Sequence, residues 1–545
     1  MLAGASGIDL VLMVIAADES IKPQTREHFE ICRLLGIERG IIALTKRDLV
    51  DGDLLDLVRL EVDEFVRGSF LENAPVVAVS ATTGEGLEEL RAALERAASE
   101  IAGKDASRHP RLPVDRSFSV RGHGAVVTGT LIAGTLAVED EVELYPDGIR
   151  ARVRGLQVHG SAVKRARAGE RTAANLAGID SVQARRGMTL APPGIFRATQ
   201  VIDCSFELLG DAHPLKHRAP VHFHAGTAEV EAQARLLGSL EPMKPGTRGY
   251  VRFLLREPLL LLPGDRFIVR MFSPVVTIGG GVVIEAAPPV RMRRAQVAKR
   301  LGELETGVRV AVLVNESKFG ISVAEVVART GMLASEVGQP AGVARLAGDW
   351  LVSETWIDRM VAKIRETLKE FHRANPLQPG MPKESLRSRE LAGGPAFLLD
   401  AVLGRARDLV AEGENVRLAS HKVALKQDEE EATAKIEAQF RDGGLAVPST
   451  AEVLAKSGVE AARARSLLQI LLKNRKLVRI GDELIYHASA VEALRKSLAG
   501  RKGARFSVAE FKDWTGVSRK YAIPLLEFLD REHVTRRDGD QRVVL

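Results

Sequence analysis

The chain has 545 residues, 45% hydrophobic and 27% charged, with a formal net charge of +6. That length excludes a single core, and the composition excludes wholesale disorder. Two cysteines, Cys32 and Cys204, exclude a disulfide framework, and no apolar run reaches the about 20 residues that span a bilayer. A soluble cytoplasmic protein is expected, and the positive charge permits a nucleic-acid partner without requiring one.

Residues 1–102 alternate strand and helix patterns. Ile8–Ala17 is almost wholly apolar and reads as a strand buried on both faces. Gln24–Leu35 has helical spacing and Gly36 closes it. A strand at 41–44, a helix near Leu54–Val66, a strand at 76–79 and a helix over Gly86–Ala98 complete a parallel α/β sheet. Ligands of such sheets bind at the carboxyl ends of the strands. There stand Thr45-Lys46-Arg47-Asp48 and Ser80-Ala81-Thr82. This pair of motifs reads guanine: Asp48 can accept from the N1 and N2 donors of the base together, Lys46 can lie along the purine, and the Ala81 N–H can meet O6.

A phosphate loop of the form G-x-x-x-x-G-K-[ST] is absent from the sequence, and so is a D-x-x-G in this region. The chain opens directly into a central strand, which would leave an exposed apolar edge. An N-terminally incomplete GTP-binding domain is therefore expected, a nucleotide-free relic being the alternative.

Residues 103–113 read as a linker, and strand patterns dominate from there to 290. Asp115–Val120, Ala125–Leu131, Glu141–Leu144, Arg150–Val158 and Arg171–Leu176 suggest a small antiparallel barrel. Arg121-Gly122-His123-Gly124 reads as a barrel turn, since no helix follows it. After Pro192-Pro193 a second β module ends in Gly279-Gly280-Gly281. His213, His217, His222 and His224 cluster in it. With no Cys or carboxylate at ligand spacing they read as structural or surface histidines, and no metal site is expected.

A sheet domain followed by two β-barrels, with MLAGASGIDLVLMVIAADES, QTREH, TKRD, SAT and VVTGT, resembles the translational GTPases that deliver aminoacyl-tRNA. Thr45 in place of the usual Asn, Asp115-Arg116 at the head of the first barrel, and the long C-terminal extension resemble the selenocysteine-specific (SelB) branch. The resemblance implies GTP as ligand, with Mg²⁺ expected only in the complete protein. It also implies a selenocysteinyl pocket on Asp115, Arg116 and Arg171. A selenol is largely ionised near neutrality, and two guanidinium groups would favour it over the neutral serine of the precursor tRNA. The chain departs from the family in lacking the P-loop, switch I and the D-x-P-G-H segment, so no catalytic residue is assigned.

Beyond 290 the basic run Arg291, Arg293, Arg294, Lys299, Arg300 reads as a linking helix. An internal repeat follows. Ala324-Glu325…Thr330-Gly331, Ala451-Glu452…Ser457-Gly458 and Ala509-Glu510…Thr515-Gly516 share one spacing. Each is expected to lead into a helix and then a strand pair turning at Gly348-Asp349, Gly481-Asp482 or Gly539-Asp540, the winged-helix plan. Residues 356–425 fit a divergent copy with Val416–Leu425 as its wing, and His372–Leu386 again resembles the family tail. Gln427–Ala432 reads as a solvated helix start or hinge. In the last copy, Ser518, Arg519 and Lys520 open a recognition helix, and Arg531, Arg536, Arg537 and Arg542 line its end and wing, an RNA-binding face.

The fold class expected is thus multidomain: a partial P-loop GTPase sheet (1–102), two antiparallel β-barrels (110–194 and 196–290) and tandem winged helices (291–355, 356–428, 429–490 and 491–545). The function implied is GTP-dependent delivery of selenocysteinyl-tRNA to the ribosome at UGA codons by a monomer, tethered to an mRNA hairpin through the last winged helix. A general elongation factor and a non-enzymatic winged-helix regulator with a vestigial G domain are the alternatives.

Overall fold

The computed structural model describes residues 7–120, 124–289, 292–421, 427–481 and 484–545. The expected turn at 121–123, Arg291, the side chain of Arg294 and Asp482 of the second Gly-Asp turn lie outside them. The chain divides into two units, residues up to 354 and from 355 onward.

The first unit opens with a parallel sheet of β1 (Val11–Ala16), β2 (Gly40–Thr45) and β3 (Val76–Ala78), in that order. β2 is central, and its Ile41, Ile42, Ala43 and Leu44 are almost wholly buried, as a strand covered on both faces requires. On one face Met13, Ile15, Ile42 and Leu44 meet Phe29 of α1 (Pro23–Leu34) and Leu55, Val58, Val62 and Val66 of α2 (Gly52–Val66). Those four α2 positions recur every three or four residues, which makes one apolar stripe. On the other face Ile41, Ala43 and Val77 meet Ala93 of α3 (Leu87–Ser99). The sequence expectation for β1 is corrected here. Leu12 is 38% and Val14 58% exposed, because α3 covers β2 and β3 and not β1.

The first β module is an antiparallel sheet of eight strands. Its main path runs Leu112–Pro113, Thr189–Ala191, Glu141–Tyr145, Ile149–Val158, Arg171–Ala177, Gly124–Thr130, Arg116–Val120. Two barrels were expected, and closure is seen in one. The ladder of this sheet ends at Leu112–Pro113 on one side and Arg116–Val120 on the other. Thr199–Leu208, Ala219–Ala225, Ala228–Leu236, Arg248–Leu259, Arg266–Arg270 and Thr277–Glu285 form the closed barrel of the second module. Phe206, Phe223, Phe253 and Phe267 fill it, each with no exposed surface. A Cβ on Gly281 would lie 1.9 Å from the Ser205 carbonyl oxygen, so only glycine fits where these strands cross. His217 Nδ1 accepts from the Leu236 N–H at 3.1 Å, and His222 and His224 flank Glu229.

Helix α1 seats on this barrel. Arg33 donates to Glu207 at 2.6 Å, Arg270 and Thr277 to Glu27 at 3.1 and 2.9 Å, and Arg266 to the Leu34 carbonyl at 3.2 Å. The expected basic linking helix is α4 (Arg294–Glu305), but its Arg300 points inward. Arg300 is 5% exposed and bonds Glu285 of the barrel at 2.5 Å and Glu316 of α5 (Arg309–Glu316). Arg329 closes the network on Glu285. The first tail copy carries the helix Val323–Thr330 and the wing Val343–Leu346/Trp350–Ser353. The helix expected after Gly331 is absent. Irregular backbone with turns at 334–336 and 341–342 fills 331–342, where Gly338, Pro340 and Gly342 disfavour a helix.

The second unit begins with the body of Glu354–Ala374, followed by helices Lys383–Glu390 and Leu398–Leu403 and a wing Leu409–Glu412/Asn415–Leu418. That wing is earlier than the expected Val416–Leu425, of which 422–425 lie outside the described residues. Gln427–Asp442 is a helix, and Glu429 within it is buried rather than solvated. The last two copies share one core: Val447, Ile480 and Tyr486 pack with Phe506, Phe511, Leu525 and Leu529.

The repeat spacing has a physical meaning. Ser322, Ser449 and Ser507 each cap a helix by accepting from the N–H three residues on, which is Glu325, Glu452 and Glu510. At Ser507 the Glu510 carboxylate reaches back, completing a capping box. Gly331, Gly458 and Gly516 follow with positive φ, where a β-carbon is disfavoured.

Candidate functional site

The guanine motifs lie side by side at the carboxyl ends of β2 and β3. Arg47 N–H donates to the Val79 carbonyl at 3.1 Å, and Val79 N–H to Leu44 at 2.8 Å. Ser80 is fully buried. Its hydroxyl donates to Asp48 Oδ1 at 2.5 Å and accepts from the Thr83 N–H at 3.1 Å. Asp48 is exposed, and its Oδ2 has no partner among the described residues. Ala81 and Thr82 are exposed on the adjoining turn, and the Ala81 N–H is unused among the described residues. Lys46 stands in the left-handed region (φ 58°), and its Nζ reaches Asp18 at 2.8 Å. That bond raises the Lys46 ammonium above its ordinary pKa and fixes the stem at the edge of the site. Thr45 turns its hydroxyl to the Ile15 carbonyl at 3.4 Å. The residues present fit a guanine base: an acceptor edge is fixed, an N–H is free, and a stem is positioned beside them. Sequence reasoning missed Asp18, whose place in ADES at the end of β1 is the only signal for it.

Asp115 and Arg116 stand at the head of one edge strand of the first β module, and Arg171 begins the strand Arg171–Ala177. Arg116 pairs across the ladder with Thr128, which pairs in turn with Ala173, and Arg171 pairs with Thr130. The three residues therefore converge. Arg171 donates to Asp115 Oδ2 at 2.5 Å, and Thr128 donates to Asp115 Oδ1 at 2.7 Å. Arg171 and Arg116 are exposed, and Arg116 has no partner among the described residues. The carboxylate orients one guanidinium and leaves the other free, so the cleft is net positive toward an incoming anion. Thr128, unassigned from sequence, is the fourth member of this constellation; it lies in the VVTGT motif.

The candidate RNA residues divide. Ser518 caps Arg519–Arg531 with no side-chain bond, and Arg519 and Lys520 are exposed at its first turn. Lys520 lines a pocket of about 360 Å³ with Arg479 from the wing of the preceding copy, Ser449 and Tyr521. Arg531 closes the same helix, about 18 Å from Arg519 at the α-helical rise, and is not brought to that end. Arg536 and Arg537 are exposed on the wing. Arg542 is turned inward: its side chain is 11% exposed and its Nε donates to Asp530 at 2.9 Å.

Comparison with known proteins follows the same map. Residues 1–100 match the Elongation factor Tu GTP binding domain, 124–191 Elongation factor Tu domain 2, and 203–290 the beta-barrel domain of selenocysteine-specific elongation factors. Residues 365–418 and 498–544 match the winged helices of elongation factor SelB. The selenocysteine-specific elongation factor of Desulfomicrobium baculatum is 38% identical over 563 residues, covering 100% of this chain and 89% of that protein. That of Escherichia coli K12 is 29% identical, covering 100% and 88%. The crystal structure of a bacterial selenocysteine-specific elongation factor, EF-Sec, superposes with a TM-score of 0.72 at 26% identity, covering 100% of this chain and 88% of that one. The sheet, the closed barrel and the capped winged helices agree with these matches, and the chain belongs to the selenocysteine-specific elongation factors, the SelB family of translational GTPases.

Proposed function

We propose that this chain carries selenocysteinyl-tRNA to the ribosome at UGA codons in a GTP-dependent manner, held near the codon by an mRNA hairpin bound at its last winged helix. The observation that carries this reading is the Asp115–Arg171 pair with Arg116 unpaired beside it. A selenolate gains from two guanidinium groups, whereas a serine hydroxyl does not. In this reading Asp48, Lys46, Ser80 and the Ala81 N–H hold guanine. GTP supplies, when bound, the free-energy difference between tRNA-holding and tRNA-releasing arrangements. GTP hydrolysis follows from the family, with no catalytic residue assigned.

The working division is 1–102 for the GTP-binding domain, 110–194 and 196–290 for the β modules, the first as a barrel in the working protein, and 291–355, 356–428, 429–490 and 491–545 for the winged helices. The protein works as a cytoplasmic monomer; no helix among the described residues is long and apolar enough to cross a membrane. The hairpin contact belongs to Ser518, Arg519, Lys520, Arg536 and Arg537. Arg531 is a further RNA contact at the far end of the helix, and Arg542 braces the wing through Asp530. Equilibrium binding of selenocysteinyl- and seryl-tRNA to the full chain tests the proposal. Selective retention of the selenocysteinyl form supports it, and equal affinity for both overturns it.

A further inference from the structure

We propose that a second cavity, at the junction of α1, the closed barrel and helices α4 and α5, is a binding site for a small phosphorylated ligand. It has a volume of about 430 Å³, within the range of small-molecule sites. Arg33, Arg248, Arg266 and Arg309 line it against Glu207 and Glu305, and Gly280 and Gly281 leave part of its wall without side chains.

The charges do not balance within the protein. Glu207 is occupied by both Arg33 at 2.6 Å and Arg248 at 2.7 Å. Glu305 accepts from the Tyr250 hydroxyl at 2.8 Å. Arg266 spends one nitrogen on the Leu34 carbonyl at the end of α1, at 3.2 Å. Arg309 has no hydrogen bond or ion pair among the described residues, and its Nε is closed off from solvent without a partner. Burial pushes its pKa down, with Glu285 and Glu305 too distant to pair. A guanidinium cannot shed its proton, so a half-buried one without a partner is a standing cost. An anion in the cavity would meet Arg309 and Arg266 together, and the planar fork of arginine matches phosphate oxygens in pairs. Its occupant would touch the GTP-binding domain through Arg33 and Leu34, the barrel through Arg248 and Arg266, and the first tail copy through Arg309. The site lies away from the guanine motifs and from Asp115, none of which lines it.

Phosphate could reach the cavity on a free metabolite or nucleotide, or on an RNA backbone, so two probes are needed. The full chain is titrated calorimetrically with inorganic pyrophosphate and, separately, with a short single-stranded oligoribonucleotide lacking a terminal phosphate. We expect saturable pyrophosphate binding that weakens about tenfold in Arg309→Gln and in Arg266→Gln and returns only in part in Arg309→Lys, which keeps the charge but not the fork, with oligoribonucleotide binding unchanged. Pyrophosphate binding that is absent, or equal in the wild type and both Gln variants, overturns the proposal. A matched loss of oligoribonucleotide binding replaces the free ligand by an RNA phosphate and overturns the small-ligand assignment. Unaltered thermal unfolding of each variant separates loss of the site from loss of the fold; should Arg309→Gln not fold, Arg266→Gln carries the test.

Discussion

The Ser80 hydroxyl donates to Asp48 Oδ1 at 2.5 Å, joining two motifs that lie 32 positions apart. This bond aims the Asp48 carboxylate and leaves Oδ2 for the base. Ser80→Ala should weaken guanine-nucleotide binding by about 1 kcal/mol, the usual worth of such a bond. Asp48→Asn exchanges an acceptor for a donor and should move preference from guanine toward xanthine, whose C2 carbonyl can accept. Competition of guanine and xanthine nucleotides for a fluorescent probe measures both effects, and an Asp48→Asn protein that still prefers guanine would refute the assignment.

Arg171 is held by Asp115, while Arg116 is free. Arg116→Ala and Arg171→Ala should each cost selenocysteinyl-tRNA at least about tenfold in affinity and leave seryl-tRNA nearly unchanged, since only the anion uses them. Asp115→Asn should behave like a partial loss of Arg171, because the guanidinium loses its orienting partner. A parallel loss for both tRNAs would place these residues on the tRNA body instead.

Arg519 and Lys520 are exposed, whereas Arg542 is locked to Asp530. In hairpin-binding titrations across salt concentrations, Arg519→Gln and Lys520→Gln should each flatten the slope of log K against log salt by about 0.7–0.9. Arg542→Gln should leave that slope alone and lower the thermal stability of the second unit. The reverse pattern would exchange the roles given to these arginines.

Glu285 and Arg300 form a buried pair, each 4–5% exposed, with Arg329 and Glu316 around them. Removing one partner strands a charge, so Glu285→Gln should destabilise the first unit by about 3–5 kcal/mol. Calorimetric unfolding checks this, and a change under 1 kcal/mol would mean that water reaches the pair.

His372 stacks on His421 with ring centroids 3.6 Å apart, and burial pushes its pKa down from 6.5 to about 4. The His421 and Arg417 side chains face it and add to the shift. Its Nε2 accepts from the Leu418 N–H at 3.3 Å, so the neutral ring is the folded form. Between pH 6.5 and 4 the unfolded chain binds a proton that the folded one refuses, so stability should fall across that window and be flat above it. Denaturant unfolding of wild type and His372→Gln between pH 4 and 7.5 reads this, the variant showing the shallower slope.

TKRD and SAT were legible because each is contiguous and ends an apolar run. β2 was legible because its five buried residues carry no polar atom outside the backbone. β1 looks the same in sequence, yet Val14 is 58% exposed, since burial depends on which helix lies over it. The winged helices were legible through their capping serines and left-handed glycines. The missing helix of the first copy was signalled by Gly338 and Pro340, and the analogy of the repeat overrode that signal. The partners of Arg542 and Lys46 could not be read, because Asp530 and Asp18 reach them only through the fold.

The core shared by the last two winged helices has a mechanical consequence. With Val447, Ile480 and Tyr486 packed among Phe506, Phe511 and Leu525, the terminal copy is one end of a stiff bar rather than a bead on a string. Load applied at Arg519 by a bound message would be borne at Val447, 72 residues upstream, without bending in between. Exchanging the terminal copy for another RNA reader would therefore require recutting the face of its neighbour as well.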